Sequence, residues 1–297
     1  MFAAANRNAV GVLGRGRAPM GKRFRKGLYL AFVYGLLIGI GSLLLLPFFW
    51  MLSTSLKGRE GLFVLPPQWI PDQFRWQNYV DAVQAFPFLR YTLNTLLITG
   101  STMLGTLLSS SIVAYSFARL RWPGRDVWFV IMLSTLMLPG QVTMIPVFIL
   151  FKNLGWVDTY LPLIVPSFFG AAFSIFLLRQ FFLTIPKELS DAAKIDGSPE
   201  IGIYWRIFLP LSAPALATIA IFTFMGAWND FLGPLIYLND PDKFTLALGL
   251  RSFQQAFGTR WNVMMACSII VMLPTLLLFF FFQRYFIEGI TLTGIKG

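Results

Sequence analysis

Carboxylates are scarce in this chain, and three of them stand where their chemistry is informative. Asp230 follows Trp228 and Asn229 within a long apolar run, while Glu188 and Asp191 lie in a charged segment between two other apolar runs. A carboxylate buried in lipid is costly unless it is paired or hydrated. Asp230 is therefore expected to face water or a polar interior, and the charged segment is suited to ion pairing with a partner.

The residues that most enzymes use for acid–base chemistry or metal binding are nearly absent. The chain has no histidine and a single cysteine, Cys267, which rules out His/Cys metal sites, histidine-based catalysis and an internal disulfide. It also lacks a Gly-x4-Gly-Lys-Ser/Thr string, so no ATP binding through a P-loop is expected. The sequence predicts a protein that is not an enzyme, with no catalytic residue, no metal and no cofactor of its own.

Local signals divide the charged segment 186–210 into two short helices. Pro186 suits a first helical turn, and Gly197 suits the left-handed residue at a helix end. The string 198–200 (Ser-Pro-Glu) then restarts a helix, with Ser as the cap, Pro at the first position and Glu at the positive end. Three-to-four spacing predicts one apolar face on the first helix, formed by Ile185, Leu189, Ala192 and Ala193.

Composition places these segments in a membrane protein. The 297 residues are 56% hydrophobic and only 12% charged, which leaves too few polar residues for an ordinary soluble surface. About 20 apolar residues cross a bilayer, and six windows meet that length. The predicted spans are 28–52, 91–118, 127–151, 159–183, 207–238 and 261–283.

The basic residues predict which side of the membrane each loop faces. An even number of spans puts both termini on one side, and 16 of the 24 basic residues fall on that side, with segment 186–210. The positive-inside rule makes that side cytoplasmic. Segment 1–27 is expected to be a cytoplasmic, partly disordered basic tail, and 28–297 one membrane domain. This bias accounts for the net charge of +11, so a nucleic-acid partner is not expected.

Segment 186–210 resembles the EAA loop of ABC importer permeases, whose pattern is Glu-Ala-Ala, three residues, Gly, nine residues and Ile-x-Leu-Pro. The chain has Asp-Ala-Ala at 191–193, Gly197 and Ile-Phe-Leu-Pro at 207–210, in that spacing; Asp191 replaces the usual Glu. The resemblance implies an all-α, six-span type I permease fold with a cytoplasmic coupling-helix loop. The ATPase-coupling residues it implies are Glu188, Asp191, Ala192, Ala193, Gly197, Ile207, Leu209 and Pro210.

The same resemblance implies the partners and the location of the protein. They are a second homologous permease, two cytoplasmic ATPases that carry ATP and Mg²⁺, and an extracytoplasmic solute-binding protein. The chain would lie in a bacterial-type plasma (inner) membrane, as the permease subunit of an ATP-driven importer. The opposing interpretation of segment 186–210 is a solvated connecting loop.

The string Trp-Asn-Asp-Phe at 228–231 resembles the Trp-Asn-(Asp/Glu)-Phe strings that occur about twenty residues after the EAA loop in the carbohydrate-uptake class of these permeases. The resemblance implies a sugar-like solute and makes Trp228, Asn229 and Asp230 candidates for the substrate path. Asn and Asp hydrogen-bond hydroxyls, and Trp stacks on sugar faces. Asp230 would otherwise fix the helix at the interface or pair with a neighbouring subunit. A rival function is an ion-coupled secondary transporter that uses Asp230; an intramembrane enzyme is disfavoured by the missing histidine and paired acids.

Other signals concern helix packing. Small residues at four-residue spacing, Ser101, Gly105 and Ser109, favour a close helix contact, with packing inside the chain as the more ordinary interpretation. Pro139, Pro146 and Gly233-Pro234 predict kinks or breaks, which in membranes usually line a cavity. Segments 53–90 and 239–260 are predicted to be the sizeable outer loops, with a short interfacial helix beginning near Tyr79.

Overall fold

The structure is a computed structural model that describes residues 20–251, 253 and 260–291, with side chains described for 25–251, 253 and 260–283. Within that part every regular element is helical, in agreement with the predicted all-α class. Segments 1–19 and 292–297 lie outside the described residues, as does most of the predicted N-terminal tail. The helices are α1 Met20–Ser55, α2 Gln77–Gln84, α3 Phe88–Arg119, α4 Arg125–Ser134, α5 Gly140–Asn153, α6 Leu161–Ile164, α7 Ala172–Thr184, α8 Lys187–Ile195, α9 Glu200–Ile203, α10 Leu209–Leu211, α11 Ala213–Trp228, α12 Leu232–Tyr237, α13 Leu246–Arg251 and α14 Trp261–Thr291.

The chain divides into two compact units, Met1–Trp50 and Met51–Gly297. The described part of the first unit is one continuous helix, the N-terminal portion of α1. Large apolar side chains are exposed along this helix from Leu28 to Phe49, which suits a helix surrounded by lipid or by partner helices.

Four helical stretches are long and apolar enough to cross a membrane, and two bent helix pairs raise the number to six. The stretches are Arg25–Ser55, Phe88–Arg119, Leu161–Thr184 and Trp261–Gln283. One bent pair joins α4 to α5 at 100° around Leu138 and Pro139, which confirms the break predicted at Pro139. Pro146 lies within α5, which continues as a helix through it.

The second bent pair changes the predicted fifth span, 207–238, which is not one helix. Helical structure from Glu200 to Leu211 meets α11 at 76°, and α11 then ends at Trp228. Residues 229–231 separate α11 from α12, so the predicted break lies at Asp230, before Gly233-Pro234. Hydropathy alone predicts one span here, because Asn229 and Asp230 are too few polar residues to divide a long apolar run.

The core of the second unit forms where α7 and α11 pack on α3. Tyr115, Phe182 and Phe208 make edge-to-face ring contacts at its centre, with centroid separations of 5.0 to 6.3 Å. The small-residue face of α3 packs inside the chain, as in the more ordinary interpretation. A Cβ at Gly105 would lie 2.4 Å from Ser167 Oγ, so only glycine fits there.

Two polar clusters order the loops near the N-terminal end of α3, at the opposite end of this helix from Tyr115. In one, Asn78 of α2 donates to the carbonyls of Ser55 and Lys57, and Asn262 of α14 donates to the carbonyl of Lys57 as well. Helix α2, Gln77–Gln84, confirms the short helix predicted near Tyr79. In the other cluster, Asp158 accepts hydrogen bonds from two backbone N–H groups and pairs with Lys243.

Candidate coupling loop and substrate path

The coupling loop, defined as residues 186–210, is the helix–turn–helix that its local signals predict. Helix α8 begins directly after Pro186, and Gly197 has a φ of +78°, which confirms the left-handed helix end. The second helix begins at Glu200, with Pro199 as the preceding cap residue. The predicted Ser198 cap is wrong, because no side chain caps this helix and Ser198 stands outside it.

The apolar face predicted for α8 is split between two surfaces. Ile185 lies before the helix and is buried, and Ala193 packs against the core. Leu189 and Ala192 are exposed instead, and they share their surface with Ile195, whose exposure is 87%. The helix therefore has an inner side fixed to the protein and an outer apolar side that no described residue of the second unit covers.

Side chains from α3 hold the coupling loop in place. Arg119 donates to the backbone carbonyls of Phe182 and Ile185, just before α8. Tyr115 donates to Glu200 at 2.7 Å, and Lys194 pairs with the same carboxylate at 2.6 Å. Both helices of the loop are therefore linked to α3, so a displacement of the loop would be transmitted to that helix.

The second helix of the loop contains a π-helical segment, Tyr204–Phe208, before α10. π-Helical segments are rare in proteins, and those that do occur are often found at functional sites. Ile207 and Leu209 pack against the core, whereas Pro210 is exposed. Tyr204 is buried and shares a 2.7 Å hydrogen bond with Ser111 of α3. These motif residues thus attach the loop to the bundle, while Glu188, Asp191 and Ala192 are on its exposed surface.

The three candidates for the substrate path have different surroundings. Trp228 is 3% exposed, stacks on Phe224 and donates from Nε1 to the carbonyl of Val271 at 3.0 Å. Its ring is therefore part of the core and presents no free face for stacking on a sugar. Asn229 is exposed and donates to the carbonyl of Met225 in its own helix.

Asp230 lies between α11 and α12 and faces a cavity. Its Oδ1 accepts the backbone N–H of Gly233 at 3.0 Å, as a helix-capping carboxylate would. A Cβ at Gly233 would lie 2.4 Å from Asp230 Oδ2, so glycine is what lets the carboxylate occupy this place. Asp230 thus combines a structural contact with access to the cavity.

The cavity beside Asp230 has a volume of about 340 Å³ and is rich in hydroxyl groups. The Oγ1 atom of Thr245 is buried at its wall and makes no hydrogen bond within the described part of the chain. Hydroxyls and a carboxylate around an otherwise apolar space suit a polar, uncharged ligand with several hydroxyl groups. Its polar lining is formed by Thr95, Thr102, Thr106, Ser174, Thr223, Asp230 and Thr245.

Sequence reasoning missed this hydroxyl lining, although a signal was present. Thr95, Thr99, Thr102 and Thr106 recur at spacings of four, three and four residues, which places them on one face of α3. The small residues on the same helix, Ser101, Gly105 and Ser109, indicate packing instead. A stripe of threonines on a membrane helix indicates either helix packing or a polar path, and here three of the four line the cavity.

Helices of this length, a helical loop anchored to the bundle and a polar cavity between spans define a multi-span membrane protein built for solute passage. The chain belongs to the family of binding-protein-dependent transport system inner membrane components, whose family model matches residues 105–291.

Curated relatives and solved structures agree with this assignment. The chain is 43% identical over 192 residues to the arabinooligosaccharides transport system permease protein AraQ of Halalkalibacterium halodurans, covering 65% of this chain and 68% of the relative. It is 34% identical to AraQ of Bacillus subtilis, covering 87% and 92%. A bacterial ABC transporter that imports the acidic polysaccharide alginate superposes with a TM-score of 0.78 at 24% identity, covering 88% of this chain and 98% of that chain. The structural likeness confirms the ABC importer permease fold.

Proposed function

We propose that this chain is the permease subunit of an ATP-driven importer and is coupled to partner ATPases through residues 186–210. The observation that carries the proposal is the two-sided α8: its inner side is fixed to the bundle, and Leu189, Ala192 and Ile195 form an uncovered apolar outer side. An exposed apolar helix face in a polar loop is suited to a partner's groove. The match to the EAA pattern supports an ATPase as that partner.

The residues of the loop have separate roles in this proposal. Ala192 permits close approach, and Glu188 and Asp191 offer charges to the partner. Gly197 sets the bend between the two helices through its left-handed backbone. Ala193, Ile207, Leu209 and Pro210 join the loop to the core and to α11, and Arg119 and Tyr115 carry its movement to α3.

A sugar or sugar-like solute is the substrate class that the cavity supports best. Its threonine hydroxyls and Asp230 offer hydrogen-bond partners to hydroxyl groups, and the arabinooligosaccharide permeases named above are similar over most of their length. Asp230 is the proposed path residue in contact with the cavity, and Asn229 lies exposed next to it. Trp228 supports Asp230 from the core.

The remaining partners and the orientation follow from the same proposal. A second homologous permease would complete the pathway, and an extracytoplasmic binding protein would deliver the solute. ATP and Mg²⁺ would be bound by the two ATPases, and this chain would bind neither. The termini and the coupling loop would face the cytoplasm of a bacterial-type plasma membrane, which the positive-inside bias supports.

Gentle purification of the tagged chain from its native membrane, followed by mass spectrometry and vesicle uptake assays, tests the proposal. A second permease and an ATPase should accompany the chain, and uptake should require ATP and persist when an uncoupler removes the proton gradient. A chain purified alone, with uptake that an uncoupler abolishes at constant ATP, would contradict the proposal and point to Asp230 as an ion-coupling site.

A further inference from the structure

A second cavity lies on the inner side of α8, away from the apolar surface proposed to meet an ATPase. It measures about 610 Å³ and is bounded by α8, the end of α3 and the connection between α3 and α4. Part of its wall is formed by side chains that hold the coupling loop to α3, namely Tyr115, Arg119, Lys194 and Glu200, but these contacts leave its interior open. The basic side chains at its wall are Arg119, Arg121, Arg125, Lys187 and Lys194.

The cavity keeps an excess of positive charge after its internal ion pairs are considered. Only Asp191 and Glu200 are acidic among the residues that line it, and Glu200 is already held by Lys194 and Tyr115. Arg121, on the α3–α4 connection, and Lys187, on α8, have no ion-pair partner among the described residues. Two cations without ion pairs at the wall of one cavity favour an anionic ligand.

Three buried hydrogen-bonding groups at the wall point to the same ligand. Arg119 Nε, Trp122 Nε1 and Ser190 Oγ make no hydrogen bond within the described part of the chain. The Ser190 residue is only 9% exposed. Buried polar groups in folded proteins are nearly always satisfied, by protein, water or ligand. The guanidinium and indole groups only donate, and the hydroxyl can also donate, so each of the three groups would be satisfied by a hydrogen-bond acceptor.

We propose that this cavity binds a phosphate group, contributed by an anionic phospholipid or by a soluble phosphate compound, which bridges α8 to the α3–α4 connection. Phosphate oxygens match arginine, lysine and hydroxyl donors together. Basic pockets at the cytoplasmic ends of membrane helices are typical sites for lipid head groups. The bound group would fix the inner side of the coupling helix, which goes beyond the proposed ATPase contact on its outer side.

The test compares lipid retention by the assembled, purified complex in nanodiscs that contain phosphatidylglycerol or only phosphatidylcholine. Native mass spectrometry counts retained phosphatidylglycerol for the parent protein and for Arg121→Gln, Lys187→Gln and Ser190→Leu, the last of which fills the cavity. Arg206→Gln is the matched control, because Arg206 is exposed in the same loop and does not line the cavity. A parallel arm adds inorganic phosphate and measures both lipid displacement and thermal protection.

Each removed charge should weaken phosphatidylglycerol retention roughly fivefold, Ser190→Leu should abolish it, and Arg206→Gln should leave it unchanged. Protection by inorganic phosphate with displacement of the lipid would support the site and assign it to a soluble phosphate. Equal retention by all variants and no phosphate protection would overturn the proposal. So would a cavity occupied by an acidic side chain of the ATPase, detected as cross-linking from position 187 that added phosphate does not reduce.

Discussion

At the scale of single residues, Gly197 and Asp230 are the most informative, because each meets a local structural requirement and also has a proposed role in coupling or transport. Gly197 is constrained by its backbone alone, because a Cβ there would meet nothing within 4 Å. Asp230 is constrained by a hydrogen bond to Gly233 and yet faces the hydroxyl-lined cavity. For each residue, substitutions exist that separate the structural contribution from the proposed role.

Gly197→Ala should weaken ATPase association without preventing membrane insertion. A residue with a Cβ at a φ of +78° is strained by about 1–2 kcal/mol, and relief of that strain would change the angle between the two loop helices. If the full strain opposes docking, co-purified ATPase falls about tenfold. Quantitative immunoblotting of the purified complex measures the change.

Two variants control for this substitution. Gly197→Asn should lose less, because Asn tolerates the left-handed region. Gly202→Ala should behave as the parent protein, because Gly202 is helical and its added Cβ would lie 3.5 Å from Pro199. Equal ATPase recovery from Gly197→Ala and Gly202→Ala would contradict the role given to the bend.

Asp230→Ala should lower solute uptake more than Asp230→Asn does. Asparagine retains an oxygen that accepts the Gly233 N–H, whereas alanine loses both this contact and the carboxylate in the cavity. We expect Asp230→Asn to raise the KM for uptake several-fold, and Asp230→Ala to reduce kcat/KM by more than tenfold. Unchanged kinetics for Asp230→Asn in an intact complex would leave the carboxylate only a structural role.

At the scale of the elements, single residues in the sequence predict where helices begin, end and break, because these features depend on local backbone preferences. Pro186 and Gly197 delimit α8 through backbone preferences that the residues carry with them, and the break at Pro139 has the same origin. Which side of a helix is buried depends instead on residues that are distant in sequence. Helical spacing therefore groups the exposed Leu189 with the buried Ile185. For the same reason the sequence places Trp228 in the path, whereas the hydrogen bond to the Val271 carbonyl holds its indole in the core.

The threonine stripe on α3 should contribute to uptake only where it meets the cavity. Thr106→Val removes a hydroxyl at the cavity wall, while Thr92→Val removes one that bonds its own helix at Phe88. Loss of one hydrogen bond to solute corresponds to a KM increase of roughly threefold to tenfold for Thr106→Val. Thr92→Val should match the parent protein, and equal effects of both changes would exclude the stripe from the substrate path.

Asp158 should make the contact between its own loop and residues 239–243 sensitive to acid. Its hydrogen bonds from the Asp240 and Asn239 N–H groups, together with Lys243, lower its pKa to about 2. The hydrogen bonds and negative charges of Asp158 and Asp240 in turn raise the pKa of Lys243. Because the folded pKa is depressed, the stabilisation is fully present above the usual Asp pKa of about 4 and is lost as pH falls towards about 2.

The thermal unfolding temperature of the purified protein, followed through this acid range, measures the effect. Asp158→Asn should lower it at neutral pH and remove part of its acid dependence, whereas Asp72→Asn, at an exposed position bonded only to Gln68 among the described residues, should not. An acid dependence that is identical in Asp158→Asn and the parent protein would show that this ion pair does not stabilise the loops.

At the scale of the whole molecule, the described helices leave large apolar surfaces uncovered in two settings. Those on the spans suit lipid and a second permease, whereas those on α8 lie in a charged loop where lipid is a poor partner. Ile195 is 87% exposed in that loop, and Leu65 is equally exposed in segment 53–90, which is predicted to lie on the other side of the membrane. The account therefore predicts different partners for two side chains of similar size and exposure.

Site-directed cross-linking at these two positions tests the central claim most directly. Ile195→Cys and Leu65→Cys are introduced into the assembled complex, where the native Cys267 is buried and serves as the unreactive background. The account predicts a cross-link from position 195 to an ATPase subunit and none from position 65. A complex in which position 195 reacts only with solvent, while position 65 reaches the ATPase, would contradict it.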